Sequence, residues 1–177
     1  MKKLHIGCGE KYIPGFIHID IRKFPHVDYV TPANKLDMFA DNSVDLIYSC
    51  HILEHFQRHK TEDVLREWYR VLRPGGILRM AVPDFEKLVE VYLETRNLKL
   101  ILGPLVGRQD YPENTHYLVF DYPYLSEILQ KVRFKNIHKY DWRQTIHKDY
   151  DDYSQAYIPH MDKEHGILIS LNVECEK

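Results

Sequence analysis

The sequence predicts an α/β fold built around a parallel sheet that holds a nucleotide at its carboxyl edge. The first observation is the stretch 4–20, where a short apolar strand runs into the turn Gly7-Cys8-Gly9 and a second short strand ends on Asp20. Glycines let a backbone approach a ligand, and a carboxylate after the next strand can accept hydrogen bonds from a ribose. The second observation is that strand-like runs alternate with amphipathic helical patterns from residue 44 onward.

The first three predicted strands follow one another closely. They are residues 4–6, 16–19 and 27–30. The connections 7–15 and 20–26 are shorter than the dozen or more residues that a helical crossover needs. Pro14 and Gly15 would also interrupt a helix in the first connection. The sequence therefore predicts parallel strands without crossover helices at this end of the sheet.

The remaining elements alternate between strands and helices. In chain order they are strand 44–50, a helix starting at 51–56, helix 61–72, strand 77–82, helix 84–95, the apolar and helical segment 98–105, helix 124–132, strand 134–140 and strand 167–174. Residues 106–121 form a polar loop with aromatic side chains, and residues 141–165 form a long irregular segment rich in tyrosine. A structureless stretch of that length is expected to be functional or part of an interface.

Length and charge restrict the possible classes of function. The 177 residues are expected to form one domain, with a cofactor-binding core at 4–85 and with helices, substrate or interface loops and the last strands at 86–177. A net charge of −2 gives no reason to expect a nucleic-acid or membrane partner. The first strand follows Met1-Lys2-Lys3 directly, so no signal peptide is expected. The three widely spaced cysteines indicate neither disulfides nor a CxxC metal site, which favours a cytoplasmic location.

The glycine turn does not match the commonest nucleotide motifs. A dinucleotide fingerprint requires a third glycine that packs a helix against the sheet. That position is Tyr12 here, and no helix follows it. The chain also lacks the G-x-x-x-x-G-K-[ST] motif of P-loop proteins. The sequence therefore disfavours a pyrophosphate held at a helix N-terminus.

Five sequence pieces occur in an order that is typical of one family. They are Ile6-Gly7-Cys8-Gly9, Ile19-Asp20, the run 39–47, Ser49-Cys50-His51-Ile52-Leu53-Glu54-His55, and Arg70-Val71-Leu72-Arg73-Pro74-Gly75-Gly76. With these pieces the chain resembles the class I S-adenosylmethionine-dependent methyltransferases, specifically the small predicted methyltransferases of type 11 found beside sugar-modifying enzymes. The resemblance is strong over residues 4–85 and implies a Rossmann-like sheet with S-adenosylmethionine as cofactor. The chain has no room for the family's helices before strand one, after strand one and after strand two, so the expected fold is a trimmed form.

The resemblance also implies which residues contact the cofactor. They are Gly7, Cys8, Gly9, Asp20, Ile21, Asn34, Lys35, Leu36, Ser49 and His51. The turn 7–9 would lie along the methionine part, Asp20 would accept hydrogen bonds from the ribose, and Ile21 would pack on adenine. Residues 34–36 would sit at the adenine edge, where this chain has Pro32-Ala33 instead of the Asp-Ala pair of many members. Ser49 and His51 would face the sulfonium.

Methyl transfer to a hydroxyl or amine requires a group that removes a proton. The candidates are His51, His55, His116 and the carboxylate of Asp84, which follows strand five. His51 to His55 also match H-x-x-E-H, the inverted zinc-peptidase motif. Such a peptidase needs this motif well inside a helix and a third ligand. Here the motif directly follows a strand, so no metal site is predicted.

The predicted function is methyl transfer from S-adenosylmethionine to a small molecule or a saccharide. The alternative is a catalytically silent module that binds S-adenosylmethionine or a nucleoside, or that serves as an interaction scaffold. A nucleic-acid methyltransferase is disfavoured by the charge and by Ser49-Cys50-His51-Ile52, which stands where an Asn-Pro-Pro-aromatic motif would be expected. Because the missing helices leave a sheet face uncovered, either the segment 141–165 or a second subunit must cover it, and a homodimer is favoured.

Overall fold

A computed structural model describes residues 1–160 and 162–177. Its strands are β1 (Lys3–Ile6), β2 (Ile17–Asp20), β3 (Tyr29–Val30), β4 (Val44–Cys50), β5 (Leu72–Pro83), β6 (Lys135–Lys139), β7 (Tyr157–Ile158), β8 (Ile167–Leu168) and β9 (Ser170–Glu176). Its α-helices are α1 (Thr61–Val71), α2 (Phe85–Thr95), α3 (Leu98–Val106) and α4 (Tyr122–Lys131). None of these helices is long and apolar enough to cross a membrane.

Seven strands form one sheet in the order β3-β2-β1-β4-β5-β9-β6. β1 pairs in parallel with both β2 and β4, and β9 runs antiparallel to both β5 and β6. The strand order reverses at β1, because β2 lies on one side of it and β4 on the other. Ligands of open α/β sheets bind at the carboxyl ends of the strands at such a reversal. The topology therefore predicts a ligand site at the carboxyl ends of β1, β2 and β4.

The trimmed strand connections are confirmed for the described residues. No helix lies between β1 and β2 or between β2 and β3. Three local predictions were wrong. The single final strand expected at 167–174 is two strands, because β8 pairs with β7 in a separate two-stranded sheet and β9 joins the main sheet. The helix expected to begin at His51 is a 3-10 turn at Leu53–His55. The fifth strand begins at Leu72 instead of residue 77, because Leu72 pairs with Val44 and the strand continues through a register shift.

One face of the sheet is covered by α1 and α4. Val64, Leu65 and Trp68 of α1 are fully buried, as the helical spacing in the sequence predicts. They belong to the main apolar core, together with alternate residues of the strands such as Leu4 and Ile47. This face is the conventional half of the fold, in which an apolar helix stripe packs on an apolar sheet face.

The opposite face is covered by residues 141–155 of the same chain. Tyr48 of β4 donates a hydrogen bond from its hydroxyl to Asp152. The ring of His147 lies 4.0 Å from the ring of Tyr48, centroid to centroid, and is 1% exposed. Asn172 of β9 donates from Nδ2 to the carbonyl of Ser154 at 2.8 Å. Of the two predicted covers for this face, the structure shows the one supplied by the chain itself.

Candidate functional site

The glycine turn after β1 has the backbone conformation that its sequence predicts. Gly7 and Gly9 have φ angles of +70° and +53°, a region that side chains disfavour. The amides of Gly7 and Cys8 donate to the carbonyl of Ile19 at 2.7 and 3.2 Å. The turn is thereby tied to the end of β2, where the predicted ribose-binding carboxylate lies.

Asp20 is held with its two carboxylate oxygens in fixed positions. Oδ2 accepts from the amide of Gly9 at 2.7 Å, and Oδ1 accepts from the amide of Arg22 at 2.8 Å. The residue is 7% exposed. Each carboxylate oxygen has a second lone pair, so two acceptor positions remain for two hydroxyl groups. The donor and acceptor chemistry of this residue therefore fits a ribose.

Three further residues surround this turn and were not found from the sequence. A Cβ on Gly7 would lie 2.0 Å from Cδ1 of Ile52, so only glycine leaves room for the isoleucine. The guanidinium of Arg22 lies 4.7 Å from the centre of the Tyr111 ring. Tyr111 belongs to the predicted polar loop 106–121, so this loop reaches Arg22 near the glycine turn. The sequence contains no local signal for this contact, because the loop is distant along the chain.

The predicted adenine contacts occupy different environments. Ile21 follows β2 directly and is 49% exposed, so its side chain is accessible there. Asn34 is half-buried and Lys35 is exposed. Leu36 is fully buried in the main core, and its amide donates to Oε1 of Glu67 at 2.9 Å. The side chain of Leu36 therefore packs the core instead of facing a cofactor.

Cys8 and Ser49 are buried supports of the turn. Burial, reinforced by the charge of Asp20, raises the pKa of the Cys8 thiol to about 12. The thiol is therefore protonated at neutral pH and is not a nucleophile. Ser49 is 1% exposed and pairs with Ile6, so it lies inside the sheet one residue short of the end of β4.

His51 follows β4 and lies between a carboxylate and a hydroxyl. Its Nδ1 is 3.3 Å from Oε1 of Glu54, and its Nε2 is 3.2 Å from Oγ of Ser170. Burial raises the pKa of Glu54, but the neighbouring imidazole of His51 outweighs this effect and holds the pKa below its usual value, so Glu54 is ionised. The Ser170 hydroxyl donates to Oδ1 of Asn172 at 3.1 Å, so its oxygen can only accept from Nε2 of His51. A role as base requires this hydroxyl to turn away from Asn172, after which the carboxylate at Nδ1 leaves Nε2 able to accept a proton. His51 has the geometry of an oriented base.

Asp84 follows β5, and its amide donates to the carbonyl of Ile169, the residue before Ser170, at 2.9 Å. Burial raises its pKa, while its side chain accepts from the amide of Lys87 and caps α2. It lines a cavity of about 420 Å³ that also contains Ser170, Asn172 and Tyr140. The structure thus places Asp84 at the wall of a cavity next to the hydroxyl that His51 contacts.

His116 is separated from this cavity and lies beside His55. Their ring centroids are 4.7 Å apart in an edge-to-face arrangement. Burial lowers the pKa of His116, and its Nδ1 donates to the carbonyl of Pro104 at 2.8 Å. Of the four candidates for the base, His51 contacts Ser170 and Asp84 lines the cavity that contains Ser170, whereas His55 and His116 lie beside each other.

Comparison with protein families agrees with this geometry. Residues 13–80 match the model of a methyltransferase domain. No curated protein sequence matches the chain.

Solved structures share the fold at low sequence identity. A methyltransferase from Methanosarcina mazei has 18% identity and a TM-score of 0.62, with 99% of this chain and 92% of that chain covered. One from Archaeoglobus fulgidus has 14% identity and a TM-score of 0.61, with 99% and 86% covered. The 1,6-didemethyltoxoflavin-N1-methyltransferase from Burkholderia thailandensis, solved with 1,6-didemethyltoxoflavin and S-adenosylhomocysteine, has 15% identity and a TM-score of 0.59, with 99% and 70% covered. The predicted resemblance and the sheet that it implies are confirmed.

Proposed function

We propose that this chain is an S-adenosylmethionine-dependent methyltransferase of the class I fold and that it methylates a small molecule bound beside His51. The observation that carries the proposal is the alignment of Glu54, His51 and Ser170 at the ends of β4 and β9. This alignment lies at the same sheet edge as the glycine turn and Asp20. A base and a cofactor site thus meet at the edge where open α/β sheets bind their ligands.

The cofactor supplies the electrophile, because the positive sulfonium makes its methyl group reactive toward a nucleophile. The residues of the chain then have three tasks. Asp20 would hold the ribose of the cofactor, the backbone of the turn 7–9 would lie against the cofactor, and Ile52 closes the space above Gly7. His51 accepts the proton of the attacking hydroxyl or amine at Nε2. Glu54 holds the imidazole in place and stabilises the charge that it acquires.

The cavity beside Ser170 is the proposed position of the methyl acceptor. It is lined by the charged and hydroxyl-bearing groups of Asp84, Lys87, Tyr140 and Ser170. Its volume of about 420 Å³ lies at the lower end of the range for small-molecule sites. The polar lining favours an acceptor with several hydroxyl groups, and the proposed class includes saccharides. A cytoplasmic location stays a prediction.

Calorimetry with S-adenosylmethionine and S-adenosylhomocysteine tests the cofactor site. We expect Asp20→Asn to weaken binding at least about tenfold, because the ribose loses its charged acceptor. Asp37→Asn is the matched control, since Asp37 is an exposed aspartate. Equal affinity of the two variants, or no binding by the unmodified chain, would contradict the cofactor assignment.

Release of S-adenosylhomocysteine with a panel of hydroxyl- and amine-bearing small molecules, saccharides included, tests the catalytic assignment. We expect turnover with at least one acceptor and a decrease of roughly 100-fold in His51→Gln at unchanged cofactor affinity. Cofactor binding without turnover on any acceptor would favour the silent binding module instead.

The homodimer also stays a prediction. Light scattering at micromolar concentration would show twice the mass of the chain. The in-chain cover formed by residues 141–155 removes the uncovered face that motivated this prediction, so a dimer would need a different contact surface.

A further inference from the structure

Glu54, His55 and His116 form a cluster that the proposed methyl transfer does not explain. One atom from each side chain can act as a metal ligand, and the three atoms all lie within 4.8 Å of one another. Glu54 and His55 come from the 3-10 turn after β4, and His116 comes from the segment after α3. The backbone joins the two segments, because the amide of Tyr117 donates to the carbonyl of Glu54 at 2.8 Å.

Both imidazoles are oriented by backbone carbonyls. Nδ1 of His55 lies 3.1 Å from the carbonyl oxygen of Thr115, and Nδ1 of His116 lies 2.8 Å from that of Pro104. A carbonyl oxygen can only accept, so each Nδ1 carries the proton and each neutral ring keeps a lone pair on Nε2. A hydrogen bond from the other ring nitrogen to a carbonyl is the usual support of a metal-ligating histidine.

The carboxylate of Glu54 is buried without adequate partners. Its residue is 0% exposed, and within the described residues neither Oε1 nor Oε2 has a hydrogen-bond partner. The contact with Nδ1 of His51, 3.3 Å from Oε1, has the distance of an ion pair but not the geometry of a hydrogen bond. A buried carboxylate is costly unless a cation or several donors compensate it.

We propose that Glu54, His55 and His116 bind a divalent cation of the zinc class through one carboxylate oxygen and two Nε2 atoms. Two imidazole nitrogens and one oxygen suit Zn²⁺, and three protein ligands leave a fourth position for water. Tetrahedral zinc places its ligand atoms about 3.3 Å apart, so side-chain rotations that bring the carboxylate oxygen and the two Nε2 atoms to this spacing complete the site. The other oxygen of Glu54 remains available to orient His51.

This site differs from the peptidase motif considered in the sequence. His51, the first residue of H-x-x-E-H, pairs with Glu54 and is not a ligand. The third ligand is His116, which only the folded chain brings to the motif. A cation here would tie the turn after β4 to the loop that carries Tyr111, and Tyr111 lies on Arg22 beside Asp20. The cation would thereby hold that loop against the cofactor edge.

Titration of chelator-treated full-length protein with Zn²⁺, in competition with a chromophoric chelator, tests the proposal. We expect one equivalent to bind and His116→Gln to weaken that binding at least about tenfold, since even supporting residues of metal sites contribute 10–100-fold. Co²⁺ should give the visible absorption of a tetrahedral ion in the unmodified protein and lose it in Glu54→Gln. His165→Gln is the matched control, because the His165 side chain is 81% exposed, and it should bind as the unmodified chain does.

Absence of stoichiometric Zn²⁺ binding, or equal binding by His116→Gln and His165→Gln, would overturn the proposal. Circular dichroism of each variant confirms that it is folded, and Glu54→Gln serves in place of His116→Gln if the latter is not. The outcome is independent of the methyltransferase assignment, because the affinity for S-adenosylmethionine is measured separately on the metal-free protein.

Discussion

The two faces of the sheet are built from different kinds of side chain and are covered by different kinds of structure. α1 and α4 cover one face with regular helices whose buried residues are almost all apolar. The other face presents His5, His18 and Tyr48, and the irregular segment 141–155 covers it with His147. The apolar stripe of a helix packs on an apolar sheet face because burying apolar surface is favourable, whatever the exact contacts. The irregular segment is instead positioned by individual polar contacts, such as the hydrogen bond between Tyr48 and Asp152. The two faces should therefore respond differently to truncation and to pH.

The largest expected difference comes from a matched pair of tryptophan truncations. Trp68→Ala removes a fully buried ring from α1 and should lower the free energy of unfolding by roughly 3–5 kcal/mol. Trp142→Ala removes a ring that is 9% exposed at the start of the cover and should cost less than half as much. Urea denaturation of the two variants measures both values. An equal or larger loss for Trp142→Ala would show that the irregular cover is as well packed as the helical face.

Low pH should lower the free energy of unfolding through the buried histidines of the face that residues 141–155 cover. Burial, with the charges of His18, His147 and His26, lowers the pKa of His5 to about 3, and burial lowers the pKa of His147 to about 4. Below pH 6.5 the unfolded chain therefore binds more protons than the folded chain, and stability is lost as pH falls. From pH 7.5 to 5.5 each histidine should cost about 1.4 kcal/mol, or about 3 kcal/mol together. Urea unfolding at the two pH values measures the loss, and an unchanged free energy would show that the rings are not buried in neutral form.

The difference between the helix-covered face and the face covered by residues 141–155 explains how much of the fold could be predicted from the sequence. The apolar face follows from local periodicity, because Val64, Leu65 and Trp68 fall on one side of α1 and the strands alternate. The proposed cofactor site follows from the short motif of Gly7, Gly9 and Asp20, which lie within about 20 residues of one another.

The remaining features depend on contacts between distant parts of the chain. Residues 141–155 have no periodicity, and their partner Tyr48 belongs to β4, so the pattern could not distinguish an in-chain cover from a second subunit. Ser170 beside His51 and His116 beside His55 meet only in the folded chain. Leu72 extends β5 because Val44 is available to pair with it, which the turn-like Arg73-Pro74-Gly75-Gly76 does not reveal.

The substitution His147→Phe should have the smallest effect on stability at neutral pH, and it is the most specific test of the difference between the two sheet faces. Neither ring nitrogen of His147 has a hydrogen-bond partner among the described residues. His147→Phe keeps a ring of similar shape and removes two unpaired polar atoms, so the free energy of unfolding at pH 7.5 should change by less than about 1 kcal/mol. The loss between pH 7.5 and 5.5 should fall by about 1.4 kcal/mol, the contribution of His147, while His5, His18 and His116, whose pKa values burial also lowers, still contribute. His165→Phe, at an exposed position, should leave that loss unchanged. If His147→Phe keeps the full pH dependence, the acid sensitivity arises elsewhere, and the histidine-bearing face is not what distinguishes the two sides of the sheet.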